Sequence, residues 1–467
     1  MSIPNTFYTG DKVSRVLGGG GKLYFSGICG VGMYSLAIIF RRLGYEVCGY
    51  DRNINGADRL ANEGIEFFSD CVGENVGGAT AFVYTNAISE ESQDYRYAMD
   101  NGVFCISRAN LLGYLSTLYK RSVAVSGVHG KSTVSAMIAH IFKKCNKNPT
   151  AVIGASVFDG FGLLIGGREY LIMEACEYMR SFLAIPAKLS VITNVELEHT
   201  DCYKTPFEIE QAFLGFANCN ESECVIVNID DRGVCDIIPM IHNKIITCSA
   251  ENDKADFYAK NIECQKGIYH YDLYRRREYL TSVGVPLPGR HNVLNSIQAM
   301  ALSVTEGISP VDAAVAIGSF CGVKRRLEYM YELNGAKIYS DYAHHPSEIR
   351  ASLSAIRDLG FSHIVCVFQP HTYSRTAYFF DAMAQSLAVA DKVILLDIFA
   401  AREKNIYNIN SKDLAKKIGV KAEYAENFRV AGKLALAECK DDTAIVIMGA
   451  GDIERIFEYI PHDTDAD

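Results

Sequence analysis

The chain has 467 residues, 49% of them hydrophobic and 22% charged; it is too long for one core and predicts two to three domains of a globular protein. A formal charge of −9 excludes bulk electrostatic attraction to nucleic acid and leaves only local basic pockets. Fifteen cysteines without a CxxC pair, no apolar stretch near about eighteen residues, and an N-terminus lacking a charged-then-apolar leader predict a reduced-thiol, cytoplasmic enzyme with no membrane span.

In chain order, the first block opens with a strand at Lys22–Ser26 and the turn Gly27-Ile28-Cys29-Gly30-Val31-Gly32. A helix follows that carries Met33, Leu36, Ala37 and Phe40 inward. The strand Glu46–Tyr50 ends at Asp51, and strands at Ala81–Tyr84 and Val103–Ile106 lead to a boundary near Leu118. Strands separated by helices imply a parallel, Rossmann-like sheet. The glycine order G-x-x-G-x-G is not the dinucleotide fingerprint, so a diphosphate sugar nucleotide fits better than NAD. Gly27, Gly30 and Gly32 permit a diphosphate to approach the helix N-terminus, and Asp51 suits a ribose hydroxyl; a packing turn would use the same glycines.

The second block begins with an apolar strand, the loop Gly127-Val128-His129-Gly130-Lys131-Ser132-Thr133, and an amphipathic helix with Val134, Met137, Ile138, Ile141 and Phe142 on one face. Such a loop holds nucleotide phosphates. Its backbone N–H groups and helix dipole favour anions, lysine neutralises charge, and the hydroxyl reaches Mg²⁺. The spacing is shorter than the common G-x-x-x-x-G-K form, and a structural helix-entry turn is the other reading. Lys131 is expected as a surface-loop side chain that contributes little packing.

Further strands are expected at Tyr170–Met173, Leu189–Thr193 and Val225–Asn228, then a β-rich stretch over 254–284 and a helix after Pro288-Gly289. Glu174 and His199 each follow an apolar strand, where open α/β sheets bind ligands. With Ser132 they form a candidate Mg²⁺ set, hydroxyl and carboxylate being the oxygens that ion prefers. Alone, His199 also reads as a satisfied turn histidine. His291, Asn292 and Asn295 either face a purine base or cap the helix.

The third block, from about Lys324, alternates a strand at Lys337–Tyr339, a helix at Pro346–Arg357, a strand at Ile364–Phe368, a helix at Thr376–Leu387, and strands at Lys392–Leu396 and Ala444–Met448. Adjacent His344 and His345 point apart, so no metal pair is expected there. Arg375 is either an anchor for a carboxylate or phosphate or a solvated side chain.

GVHGKST, TNVELEH, GRHNVLN, GVKRR, DYAHHP and FQPHTYSRT occur here in one order that resembles the Mur ligase family, from the loop at Gly27 to Gly449-Ala450-Gly451-Asp452-Ile453. The resemblance implies an α/β fold in three domains. These are an N-terminal Rossmann-like domain for a UDP-sugar (1–118), a central P-loop ATPase domain (119–323) and a C-terminal Rossmann-like domain for an amino acid (324–467). It implies ATP-dependent addition of L-alanine to the lactyl carboxylate of UDP-N-acetylmuramate in peptidoglycan precursor synthesis, through an acyl phosphate. Addition of a recycled murein tripeptide, or an ATP-binding homologue without chemistry, are the alternatives.

By the same resemblance, Lys131 bridges the β/γ-phosphates, Ser132 and Glu174 hold one Mg²⁺, and Glu174 and His199 a second. His291, Asn292 and Asn295 face adenosine, and Arg326 and Asp341 bring the third domain onto the nucleotide. Tyr342, His344, His371 and Arg375 surround alanine and the muramyl group, while Ser107 and Arg108 lie under the uridine diphosphate. Cys176-Glu177-Tyr178-Met179 departs from the family's usual Asp-Glu-Ser-Asp, Thr372 stands where Arg is frequent, Arg402 where Gly is common, and Cys29 replaces a Gly in the first loop.

Overall fold

The computed structural model describes residues 10–85, 87–157, 160–219 and 221–461. They form two compact units. The first comprises residues up to Glu196 together with Pro206–Cys248 and Gln298–Ala313; the second comprises Leu197–Thr205, Ser249–Ile297 and Ala314 onward.

The first unit contains a parallel five-stranded sheet in the order Glu66–Phe68, Glu46–Tyr50, Lys22–Ser26, Ala81–Tyr84, Phe104–Ser107. Strand order reverses beside Lys22–Ser26, so the turn at Gly27 opens into the crevice such a reversal creates. Met33, Leu36, Ala37 and Phe40 are buried on the following helix, Val31–Arg42, as their spacing predicts.

The same unit carries seven further strands in the order Ile245–Ser249, Cys224–Asn228, Leu189–Ile192, Arg121–Ser126, Tyr170–Glu174, Thr150–Val152, Leu163–Leu164. Arg121–Ser126 is flanked on both sides by parallel partners, with Val125 opposite Glu174 and Ser126 opposite Ile192. A parallel strand covered on both faces reads as a continuous apolar run, which is why VAV, LIM and SVI are fully buried. The register brings the phosphate loop, Glu174 and Thr193 out at one edge.

The second unit contains an antiparallel meander, Phe257–Gln265, Ile268–Arg275 and Glu278–Val285, within the stretch expected to be β-rich. Its other sheet has the order Glu328–Leu333, Ala336–Asp341, Thr443–Met448, His363–Phe368, Lys392–Leu395, Ala422–Tyr424, parallel apart from the first hairpin. One face packs Cys366, Phe368 and Val446 against Leu353, Ile356, Met383 and Leu387. The other packs Val365, Val367 and Ile447 against Ala431, Ala435, Ile453 and Ile456. Each such large aliphatic side chain contributes about 1.5–3 kcal/mol on burial.

Most elements lie within a residue or two of their expected ends. The helix expected at Thr376–Leu387 is instead two, Tyr373–Tyr378 and Phe380–Leu387, broken at Phe379. That ring packs edge-on against His345 at 4.6 Å, so a tertiary contact overrides helical continuity. Among the described residues no helix is long and apolar enough to cross a membrane.

Candidate active site

In the first unit, Arg121–Ser126 feeds the loop Gly127–Gly130, and Lys131 starts the helix Lys131–Lys144. Gly127 has φ +139°, and a Cβ there would collide with Thr193 Oγ1, so no side chain fits. The loop is braced by the next strand's exit. Thr193 Oγ1 donates to His129 O at 2.5 Å, Asn194 Nδ2 donates to the same carbonyl at 2.9 Å, and His129 N donates to Asn194 Oδ1 at 2.8 Å. His129 Nε2 pairs with Glu196 at 3.1 Å. Asp231, which caps the helix Arg232–Ile237, accepts Val195 N at 3.0 Å and so fixes that exit in turn.

Ser132 Oγ donates to Glu174 Oε2 at 2.8 Å, and Gly154 N donates to the same oxygen at 2.9 Å. A hydroxyl and a carboxylate converging at a helix start are hard oxygen donors and fit a divalent cation such as Mg²⁺. Lys131 is not the surface side chain expected. Its Nζ donates to Gly127 O at 2.6 Å and Val128 O at 3.0 Å, and pairs with the buried Glu177 at 2.9 Å. Burial works to lower the Lys131 ammonium; Glu177, then Cys176 and Glu174, override it and push it up to about 12. Glu177 is an acid kept within the altered 176–179 segment, and the sequence alone assigns it no role.

The first sheet places Gly27, Gly30, Gly32, Asp51, Ser107 and Arg108 around one turn. Gly27 N donates to Tyr50 O at 2.7 Å, and Asp51 accepts Cys29 N and Asn53 N, both at 2.9 Å. The Asp51 carboxylate therefore shapes the glycine turn itself. Ser107 caps the helix Arg108–Thr117, accepting Asn110 N at 3.3 Å. Arg108 lies against the turn, since a Cβ on Gly32 would meet its Nη1 at 2.8 Å.

In the second unit, the C-terminal edge of the sheet collects Tyr342, His344, His371 and Arg375. The Tyr342 ring has the Arg325 and Arg326 guanidinium carbons 4.8 and 5.4 Å from its centroid. Asp341 is buried and accepts Leu327 N at 2.8 Å and Ala343 N at 2.6 Å; burial pushes it up to about 6, against Arg326 and those amides. Asn292 Nδ2 donates to Pro288 O at 2.8 Å and Asn295 Nδ2 to Asn292 Oδ1 at 3.0 Å, while His291 packs beside Gly289 at the start of His291–Thr305.

Arg375 is buried, not solvated, and it does engage a carboxylate. The partner is the chain's own Glu198, whose Oε1 accepts both Nε and Nη2 at 2.8 Å. Glu198 Oε1 also accepts His199 N at 3.0 Å, beside the strained His199 backbone at φ +54°. Burial works to raise the Glu198 carboxyl; Arg375, then His344, His345 and His199, hold it well below the usual carboxylate range. Sequence reasoning passes over Glu198, although an acid directly before a candidate ligand histidine in VELEH is the available signal.

The two imidazoles beside Arg375 are complementary. Burial, then Arg375, lower His344 to about 3 and His371 to about 4, so both are neutral at pH 7. His344 Nδ1 faces Tyr342 O at 2.9 Å and must carry the proton, which leaves Nε2 an acceptor. His371 Nδ1 accepts from Arg375 Nη1 at 3.0 Å, which makes its Nε2 a donor. Ring centroids 5.9 Å apart thus offer one acceptor and one donor, suited to a zwitterion.

Three family models match this chain: the Mur ligase family catalytic domain at residues 22–120, the Mur ligase middle domain at 125–303, and the Mur ligase glutamate ligase domain at 325–451. A UDP-N-acetylmuramate–L-alanine ligase of Caldicellulosiruptor bescii is 37% identical over 446 residues, covering 94% of this chain and 98% of the relative. One from Clostridium novyi is 35% identical, covering 94% and 96%. Among solved structures, a UDP-N-acetylmuramate–alanine ligase from Thermotoga maritima aligns with TM-score 0.78 at 23% identity, covering 94% of this chain and 98% of that one. A murein peptide ligase from Psychrobacter arcticus aligns at 0.71 and 22%, with the same coverage. The chain belongs to the Mur ligase family.

Proposed function

We propose that this chain joins L-alanine to the lactyl carboxylate of UDP-N-acetylmuramate at the expense of ATP, a step of peptidoglycan precursor synthesis. One observation carries the reading. A chain similar to an L-alanine ligase over almost its whole length also has a strand–glycine loop–helix whose Lys131 pairs with Glu177 and whose Ser132 hydroxyl donates to the strand-end Glu174.

In this reaction the lactyl carboxylate attacks the γ-phosphorus, ADP leaves, and an acyl phosphate forms. The alanine amine then adds to the acyl carbon, and phosphate leaves from the tetrahedral species. A carboxylate attacking a polyanion is repelled unless cations lie where charge accumulates. Lys131 supplies one, and the backbone N–H groups from Gly127 to Thr133 supply aligned dipoles. Ser132 and Glu174 would hold Mg²⁺, which would supply screening of phosphate charge, and His199 would contribute to a second ion.

His291, Asn292 and Asn295 are assigned to adenosine, Arg326 and Asp341 to the nucleotide side of the third domain, and Gly27, Gly30, Gly32, Asp51, Ser107 and Arg108 to the UDP-sugar. Tyr342, His344, His371 and Arg375 are assigned to the amino acid. Here the acceptor Nε2 of His344 receives the alanine ammonium and the donor Nε2 of His371 meets its carboxylate. Domains at 1–118, 119–323 and 324–467 accord with this division of labour. The test is release of ADP and phosphate by the purified chain. It is expected only when UDP-N-acetylmuramate and L-alanine are both present, and sugar-independent ATP cleavage contradicts the proposal.

A further inference from the structure

We propose that Glu177 is a positioning residue that competes with ATP for the phosphate-loop lysine: its carboxylate pairs with the Lys131 ammonium and must withdraw when a phosphate oxygen takes its place beside that charge. The proposal rests on the ATP-ligase reading and deepens it. An ammonium has three N–H donors. Lys131 Nζ donates to Gly127 O and Val128 O at 2.6 and 3.0 Å, and Glu177 Oε2 lies 2.9 Å from the same nitrogen as an ion pair. The two carbonyls belong to the loop and move with it. Glu177 belongs to the segment leaving the strand Tyr170–Glu174, so of the three it is the one that can part from the ammonium without unmaking the loop. An ionic oxygen contact at this distance is what a β- or γ-phosphate oxygen would make, and two anionic oxygens repel one another from the same place beside one ammonium.

The segment carrying Glu177 is under backbone tension. Met179 and Arg180 both lie in the left-handed region, at φ +53° and +55°, a conformation disfavoured for a non-glycine residue. It also reaches the candidate sugar-nucleotide turn. Arg108 lies against Gly32, and Gly113 of the helix that Arg108 begins abuts Ala184 O. Withdrawal of Glu177 therefore shifts a segment that packs on the helix begun by Arg108, and occupancy of the nucleotide loop and of the sugar turn is coupled through residues 176–184.

The experiment is equilibrium titration of Mg-ATP into the full chain, with and without UDP-N-acetylmuramate, for wild type and Glu177→Gln. The amide keeps size and an acceptor oxygen but removes the charge. Without sugar, the variant is expected to bind ATP about tenfold more tightly than wild type. Sugar is expected to tighten ATP binding by wild type at least about fivefold and by the variant less than about twofold. Glu177→Asp, which retracts the charge by one methylene, is expected to shift the ATP Kd the same way by about threefold. Equal ATP affinity in wild type and both variants, or weaker affinity in a variant that melts like wild type, overturns the proposal alone. ATP that binds none of the three proteins removes the ligase reading beneath it.

Discussion

Lys131 in the first unit is a half-buried cation and Arg375 in the second a buried one, each engaged by a buried glutamate of the same chain, at 2.9 and 2.8 Å. Their settings differ. Glu177 meets Lys131 through one oxygen, from a segment with two residues in left-handed backbone. Glu198 meets Arg375 through two N–H groups, and the same oxygen accepts His199 N. A point charge with a single-oxygen partner can exchange that partner; a planar guanidinium held by its fork is fixed in orientation. The fixed cation in turn orients His371, and burial, aided by that cation, keeps two imidazoles neutral. On the proposed function, the first pair would change partners during phosphoryl transfer and the second would hold an amino-acid surface still.

The most severe challenge to this contrast is Lys131→Ala. Turnover is expected to fall by at least about a thousandfold, since the phosphate loop loses its lysine ammonium. The change also strands Glu177, so unfolding free energy should drop by about 3–5 kcal/mol. Adding Glu177→Gln should restore most of that stability and none of the activity, as read by initial rates and denaturant melts. Wild-type turnover in the single variant would refute the loop assignment.

Arg375→Lys keeps a charge but not the fork. Its KM for alanine is expected to rise about tenfold while the KM for ATP stays within about twofold. An equal rise in both would erase the distinction between the two cations.

A pH series probes the second pair. His344 and His371 are depressed on folding, so the stability tied to them is present above their unfolded value near 6.5 and is lost as pH falls towards about 3 and 4. Asp341, raised to about 6, opposes this by gaining stability as pH falls below 6. From pH 7.5 to 5.5 the net change should be a loss of roughly 2 kcal/mol, with a falling thermal midpoint. A midpoint that rises over this range would contradict the neutral imidazoles.

The smallest effect is expected from Asp51→Asn. The amide oxygen can still accept one backbone N–H, so stability should fall by about 1 kcal/mol and the KM for UDP-N-acetylmuramate should rise a few-fold, without change in the KM for alanine.

The strand, glycine loop and helix spanning 121–144 were legible because each of their residues acts locally. Glycines clear space, lysine and serine start the helix, and the preceding strand is an apolar run. The parallel strands were legible for the same reason, burial on both faces leaving VAV, LIM and IVCVF without alternation. What stayed hidden depends on distant partners. The acid that engages Arg375 lies 177 positions away, and the packing of Phe379 on His345 that splits the expected helix spans two loops of the third block. Lys131 looked like a surface lysine because the buried Glu177 beside it follows a different strand.

The most direct test is mass spectrometry of the product after incubation of the chain with UDP-N-acetylmuramate, Mg-ATP, the standard amino acids and the murein tripeptide. One new species is predicted, the sugar nucleotide enlarged by a single dehydrated alanine, with ADP formed in equal amount. A tripeptide adduct, another amino acid in its place, or ATP consumed without any sugar-linked product would contradict L-alanine ligation.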